Sequence, residues 1–279
     1  MECAEGKILK CESIIAKLMK TKTDPDSQVS LRHAAGFNAI NGRDFKKANN
    51  LLCEILAFLP DTRNEEEHRL WWWSLKSLVK LREGSHDVGI ALAEGALSLL
   101  DTVSPSCTTA WLLINHAFLL MEIAAGQDDE NDRRFLMKKA ETEYHHAIEH
   151  AENENPNPLL PSQSRVPLFA KLGIALLYLG CKESADSSRL GVTTIPLEDI
   201  RKAKTLIDAQ DKEGATCISS EFLLMEAKIF LHYRLGSYQQ AYDLAMKAKA
   251  FATEHAFGGF LATADSILHY LQGYVKLQE

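Results

Sequence analysis

His146 and His150, in the run from Glu143 to His150 that reads EYHHAIEH, stand four residues apart. On a helix that spacing puts two imidazoles on one face, where both could reach a single metal ion. No third ligand follows at a recognisable spacing, and the His-Glu-x-x-His pattern of metalloproteases is absent. A solvated helix face rich in His and Glu is the expectation, with no metal. Carboxylates are grouped at Glu65-Glu66-Glu67 and Asp128-Asp129-Glu130. These runs are expected between elements, where charge is solvated, and no base, nucleophile or oxyanion donor accompanies them. The patterns GxSxG, GxxxxGK[ST] and GxGxxG are also missing. The residues therefore point to a protein that is not an enzyme and holds no cofactor.

The run Trp71-Trp72-Trp73 is the other unusual feature. Three consecutive residues fan through about 200° of a helix, so they cannot all enter one core. Trp73 suits a packing position. Trp71 or Trp72 must then face a neighbouring element, a groove or solvent, and Trp is a favoured anchor of binding surfaces. Six cysteines are spread singly, with no CxxC pair. They read as reduced, small buried hydrophobes, which implies a cytoplasmic address, with the nucleus as the alternative. The polar, mixed-charge start of the chain does not resemble a secretory signal. Apolar runs shorter than about 18 residues predict no membrane span. A net charge of −7 disfavours a nucleic-acid wrapper, which usually shows a basic face.

What must position these residues is helix. Apolar residues return every three or four positions, as at Ile8, Cys11, Ile15, Leu18 and Met19, and strand-like alternation is almost absent. The turn formers in residues 21–27, around Pro25, end that first helix. Residues 31–60 read as two antiparallel helices, with Gly36, Ala48 and Pro60 each twelve apart. The small residues let the two backbones approach, and Pro60 stops the second helix. The pair Gly258-Gly259 reads as a hinge before a last helix.

With those positions the chain resembles the tetratricopeptide-repeat superfamily, whose repeat is 34 residues long. Gly36, Ala48 and Pro60 match three of its signature positions, while Gly42 comes one residue early and Ile55 replaces a small residue. Further pairs are traced by Trp73, Gly84, Gly89 and Ala96; by Trp111, Phe118, Ala140, Tyr144 and Ala147; by Leu172, Gly173, Gly180 and Ala203; and by Gly236, Tyr238, Ala241 and Ala248. The equivalent small residues at 48, 89, 140, 203 and 241 step by more than the regular repeat length. Polar stretches at 126–133, 152–165 and 182–196 read as insertions, solvated or partner-binding.

The resemblance implies an all-α, right-handed superhelix in one domain. An N-terminal helix and linker would occupy residues 1–27, about five helix pairs 28–255, and a capping helix 256–279. The first helix of each pair would line the concave side, placing His33, Phe37, Ile40, Leu78, Arg82, His116, Phe230, Tyr233 and Arg234 there, with Trp71 and Trp72 as candidate contacts. The expected function is a scaffold or adaptor that binds a peptide or helix of a partner protein in that groove. The chaperone-binding carboxylate clamp of some family members would need Lys and Asn where this chain has His33, Phe37, Leu112 and His116. Residues 172–208 also resemble the interferon-induced members, which implies RNA binding in a basic channel. Arg133, Arg134, Lys138 and Lys139, or Lys202 and Lys204, are the residues that could form such a patch. A constitutive subunit of a larger helical assembly is the third reading.

Overall fold

The computed structural model describes residues 8–153, 165–180, 194–214, 218–255 and 257–275. Among them every regular element is helical. The helices are α1 (Ile8–Thr21), α2 (Pro25–Asn41), α3 (Phe45–Phe58), α4 (Glu65–Arg82), α5 (His86–Leu97), α6 (Cys107–Gly126), α7 (Glu130–Asn153), α8 (Arg165–Tyr178), α9 (Leu197–Glu213), α10 (Ile218–Arg234), α11 (Tyr238–Glu254) and α12 (Gly258–Val275).

Local chemistry sets many of the boundaries. Asp24 accepts a hydrogen bond from the Ser27 amide at 2.8 Å with Pro25 in the first turn, so α2 starts where the turn formers were read. Asp44 caps α3 in the same way through the Lys47 amide at 3.0 Å. Ser106 and Thr109 form a reciprocal capping box at the head of α6. Glu65, Glu66 and Glu67 are not a connecting charge run; they form the first turn of α4, where carboxylates offset the positive end of the helix dipole.

The first polar stretch is no inserted loop either. Asp129 accepts from the amides of Asn131 at 2.7 Å and Asp132 at 3.1 Å, so α7 begins at Glu130 and only residues 127–129 separate it from α6. The wide spacing between Gly89 and Ala140 reflects long helices, 20 residues in α6 and 24 in α7. The other two stretches lie outside the described residues except at their ends.

Two packing relations repeat. Consecutive helices in a pair run antiparallel. Thr109 at the start of α6 touches His150 near the end of α7, and Tyr238 at the start of α11 stacks near Tyr274 at the end of α12. Alternate helices run parallel. Ser74 and Asn115 on α4 and α6 are joined across 41 residues of sequence, and Tyr233 and Tyr274 on α10 and α12 across the same number. Thus α2, α4, α6, α8, α10 and α12 follow one another along an inner layer, and α3, α5, α7, α9 and α11 pack outside it.

The core runs continuously through this stack. Ala48, Ala140, Ala147, Ala203, Ala241 and Ala248, the small residues picked out by spacing, are all at most 1% exposed. Ile55 is fully buried where the repeat pattern would have a small residue. α6 is apolar and long enough to cross a membrane by composition, but 78% of its most apolar window is buried inside the protein. Its Ile114 and Leu119 are fully enclosed, each such burial contributing roughly 1.5–3 kcal/mol. Cys53 is a free, exposed thiol. Cys11, by contrast, is disulfide-bonded, against the expectation of reduced cysteines throughout.

Candidate functional site

The inner layer lines a half-open cavity of about 280 Å³. Its walls carry Phe37 from α2, Leu78 from α4, Trp111 and Phe118 from α6, Phe169 from α8 and Phe260 from α12. Trp111 and Phe169 pack with ring centroids 5.0 Å apart, which ties α6 to α8. The stacked rings of Phe222 and Phe260, 4.2 Å apart and nearly coplanar, fix the start of α12 against α10.

α12 also closes the inner layer back upon α2. A Cβ added to Gly258 would stand 3.4 Å from the Gly42 carbonyl oxygen, and one added to Gly259 would stand 3.3 Å from that of Asn41. The glycine pair read as a hinge is therefore the first turn of α12, and the lack of side chains lets the two backbones meet. The last helix is part of the cavity wall as well as a cap on the stack.

The cavity wall also carries polar side chains, among them Asn41, Ser219, Thr263 and Ser266. Asn115 is 6% exposed, and its Nδ2 donates 2.6 Å to the Oγ of buried Ser74. Glu226, on α10, is 1% exposed. Arg43 and Arg82 line the side nearest the α2–α3 and α4–α5 turns. Arg43 is the one non-glycine with positive φ among the described residues, at 62°.

Of the residues expected on the groove, Phe37, Ile40, Leu78 and Arg82 line the cavity. The others do not. His33 lies one turn before Phe37, is 4% exposed and packs 5.9 Å from Trp71 and 6.0 Å from His68. Burial holds its pKa down at about 2, with His68 adding repulsion, so the ring is neutral. His116 is fully buried toward α7, its Nδ1 3.4 Å from Glu143 Oε1. It is the preceding residue, Asn115, that faces the cavity; a step of one residue turns a helix by about 100°.

Phe230, Tyr233 and Arg234 lie on the second half of α10, beyond the cavity. Phe230 is 1% exposed. Tyr233 shares hydrogen bonds with Tyr270 at 2.7 Å and Tyr274 at 3.3 Å, and the Arg234 Nε donates to the Leu179 carbonyl at 2.8 Å. α12 covers the half of α10 that an open groove would have exposed.

All three tryptophans of the run are half-buried. Trp72 donates from Nε1 to the Leu52 carbonyl at 2.7 Å, which joins α4 to α3. Trp73 packs beside Trp72 and over Gly95 of α5. Trp71 turns toward His33, and its Nε1 and the His33 Nε2 are buried without a hydrogen-bond partner. Packing between helices thus accounts for the greater part of this run.

The paired histidines have different surroundings. His146 is exposed, and the His150 Nδ1 is 2.9 Å from the Thr109 hydroxyl. No group of three His, Cys, Asp or Glu that could hold a metal occurs among the described residues. Several of the basic side chains offered as a patch are matched by acids. Arg133 and Arg134 meet Glu130, Lys139 meets Glu94, Lys202 meets Glu198 and Asp199, and Lys204 meets Asp208.

Trp111, Asn115, Phe118, Phe169, Glu226 and Phe260 were not singled out from sequence as site residues, although four of them are aromatic. A signal was present for two of them. Asn115 interrupts the apolar run WLLINHAFLL and Glu226 the run FLLMEAKIF, and a polar group inside an apolar helix needs a partner or a purpose.

Compared by sequence with protein-family models and with curated proteins, the chain matches none.

Proposed function

We propose that the chain is a non-catalytic interaction scaffold of tetratricopeptide-like, superhelical build, holding a segment of a partner protein on its inner layer. The observation that carries this reading is the convergence of aromatic rings from α2, α6, α8 and α12 on one cavity. Aromatic residues in a concave, partly apolar site are the usual source of binding energy in protein recognition. The parallel order of alternate helices, each followed by an antiparallel partner, supports the repeat reading. The pairing of candidate basic residues with acids supports a protein partner over RNA, whose binding would need those charges for phosphates.

The test is capture from native cells with the wild-type chain beside the Phe37→Ala/Phe169→Ala variant. A partner recovered by the wild type and lost by the folded variant is the expected result. Equal recovery by both would sink the cavity-centred reading. Binding of single-stranded RNA that weakens steeply with salt would replace it with the nucleic-acid one.

A further inference from the structure

Away from the cavity, the fold brings three phenols to one point. The hydroxyl oxygens of Tyr233 on α10 and of Tyr270 and Tyr274 on α12 form a triangle. Its sides are 2.7 Å from Tyr233 to Tyr270, 2.8 Å from Tyr270 to Tyr274 and 3.3 Å from Tyr233 to Tyr274. Tyr270 and Tyr274 are one turn apart on α12, so their rings are neighbours, with centroids 5.1 Å apart and planes inclined by 48°. Tyr233 meets both rings edge to face, at 5.6 Å and 5.4 Å.

We propose that Tyr270 and Tyr274 form a site of one-electron oxidation, at which a peroxidase-type oxidant joins the two rings by a carbon–carbon bond ortho to their hydroxyls. Each phenol gives one electron to the oxidant and its hydroxyl proton to water. The two phenoxyl radicals, whose unpaired spin lies partly on the ortho carbons, pair to make the new bond. The ring hydrogen on each of those carbons then leaves as a proton, and each oxygen takes a proton back. Two electrons and two protons are lost in all, and both hydroxyls are restored.

The shape of the product singles out this pair. In an ortho-linked biphenol the oxygens flank the new bond within hydrogen-bonding reach of each other, and the rings are twisted rather than coplanar. Tyr270 and Tyr274 already hold their oxygens 2.8 Å apart with the rings turned by 48°. Two reactants held near the geometry of their product react as if at very high concentration. The centroid of Tyr238 is nearer to Tyr274, at 4.9 Å, but among the described residues its hydroxyl shares no hydrogen bond with Tyr274.

Tyr274 is the phenol that reacts first. Hydrogen bonds from Tyr233 and then Tyr270 hold its pKa below the usual phenol value, and a phenol that parts with its proton more readily also parts with its electron more readily. Its ring is half-buried near the end of α12, within reach of an oxidant in solution. A link there staples the last turns of the helix whose first half forms part of the cavity wall.

The test is illumination of the intact, dilute chain with tris(bipyridine)ruthenium and persulfate, a one-electron oxidant, followed by trypsin and mass spectrometry. The expected product is a monomer with dityrosine fluorescence. Its tryptic peptide 250–276, which holds both residues, should be lighter by two hydrogens and give no fragments from cleavage between Tyr270 and Tyr274. Tyr270→Phe and Tyr274→Phe should each remove that product and Tyr242→Phe should leave it, with all three variants helical by circular dichroism. Unfolding in urea before illumination should lower the yield several-fold, because the hydroxyls then no longer meet. No such product at a dose that couples free N-acetyltyrosinamide, a yield unchanged by urea, or joining of Tyr274 to Tyr233 or Tyr238 in its place overturns the inference.

Discussion

Gly173 on α8 lies directly beneath the phenol ring of Tyr144 on α7. A Cβ at Gly173 would stand 2.5 Å from the Tyr144 Cε1 and Cζ atoms. Tyr144 is fully buried and its hydroxyl donates to the Met121 sulfur at 3.3 Å, so the ring has nowhere to retreat. Gly→Ala inside a helix ordinarily stabilises by up to about 1 kcal/mol. Here overpacking reverses the sign, and Gly173→Ala should destabilise by about 1–3 kcal/mol. Urea unfolding followed by circular dichroism measures it; a stabilised variant would show that α8 can slide away from α7.

Arg43→Gly should act in the opposite direction. A non-glycine residue in the left-handed region costs roughly 1–2 kcal/mol, and the α4–α5 and α10–α11 turns, which share the hydrogen-bond pattern of the α2–α3 turn, use glycine there. A rise in the thermal midpoint is expected, partly offset by the greater freedom of glycine in the unfolded chain. A fall would mean that the Arg43 side chain contributes more to stability than its backbone costs.

His33 should make the fold sensitive to acid. Its folded-state pKa is about 2 against 6.5 for the free side chain. As pH falls below 6.5 the unfolded chain takes up this proton and the folded one does not. Stability then declines by about 1.4 kcal/mol per pH unit from this group alone. His33→Phe, which keeps a ring between His68 and Trp71, should flatten the dependence of the urea midpoint on pH between 6 and 4. An unchanged slope would place the acid sensitivity elsewhere.

The tyrosines at the ends of α10 and α12 should titrate unequally. Hydrogen bonds from Tyr233 and then Tyr270 hold the Tyr274 pKa below the usual phenol value. Burial pushes Tyr233 up to about 12 and Tyr270 further. An ultraviolet titration should show phenolate absorbance beginning with Tyr274. Tyr233→Phe removes its main donor and should move that first step upward, whereas no movement would mean the hydroxyl triangle is broken in solution.

The two halves of the expected groove should separate in binding. Phe37→Ala is expected to weaken the partner several-fold, because its ring lines the cavity. Tyr233→Ala is expected to lower stability and leave affinity nearly unchanged, since its hydroxyl is committed to Tyr270 and Tyr274. Isothermal titration on both variants decides between the cavity and an open concave face along all of α10.

Helix after helix was legible in the sequence because apolar periodicity, Pro25, Pro60 and the capping Asp and Ser residues act within a few positions of themselves. The buried alanines at 48, 140, 203 and 241 were legible for the same reason, as each marks where two backbones of one pair approach. Phe37, Ile40, Leu78 and Arg82, expected together on one face from their spacing, do line the cavity. What the sequence could not decide was which part of each inner helix stays open. α12 covers the second half of α10 and closes on α2 at Gly258 and Gly259, which buries Tyr233 and turns Phe260 and Glu226 to one cavity. That contact joins residues more than 200 positions apart, and its geometry depends on how all the helices between them pack, which no local pattern reports. Arg43 shows the same division on a small scale. Gly42 looked like a glycine one residue early, and only the hydrogen bonds shared by the three turns show that the left-handed position is held by arginine.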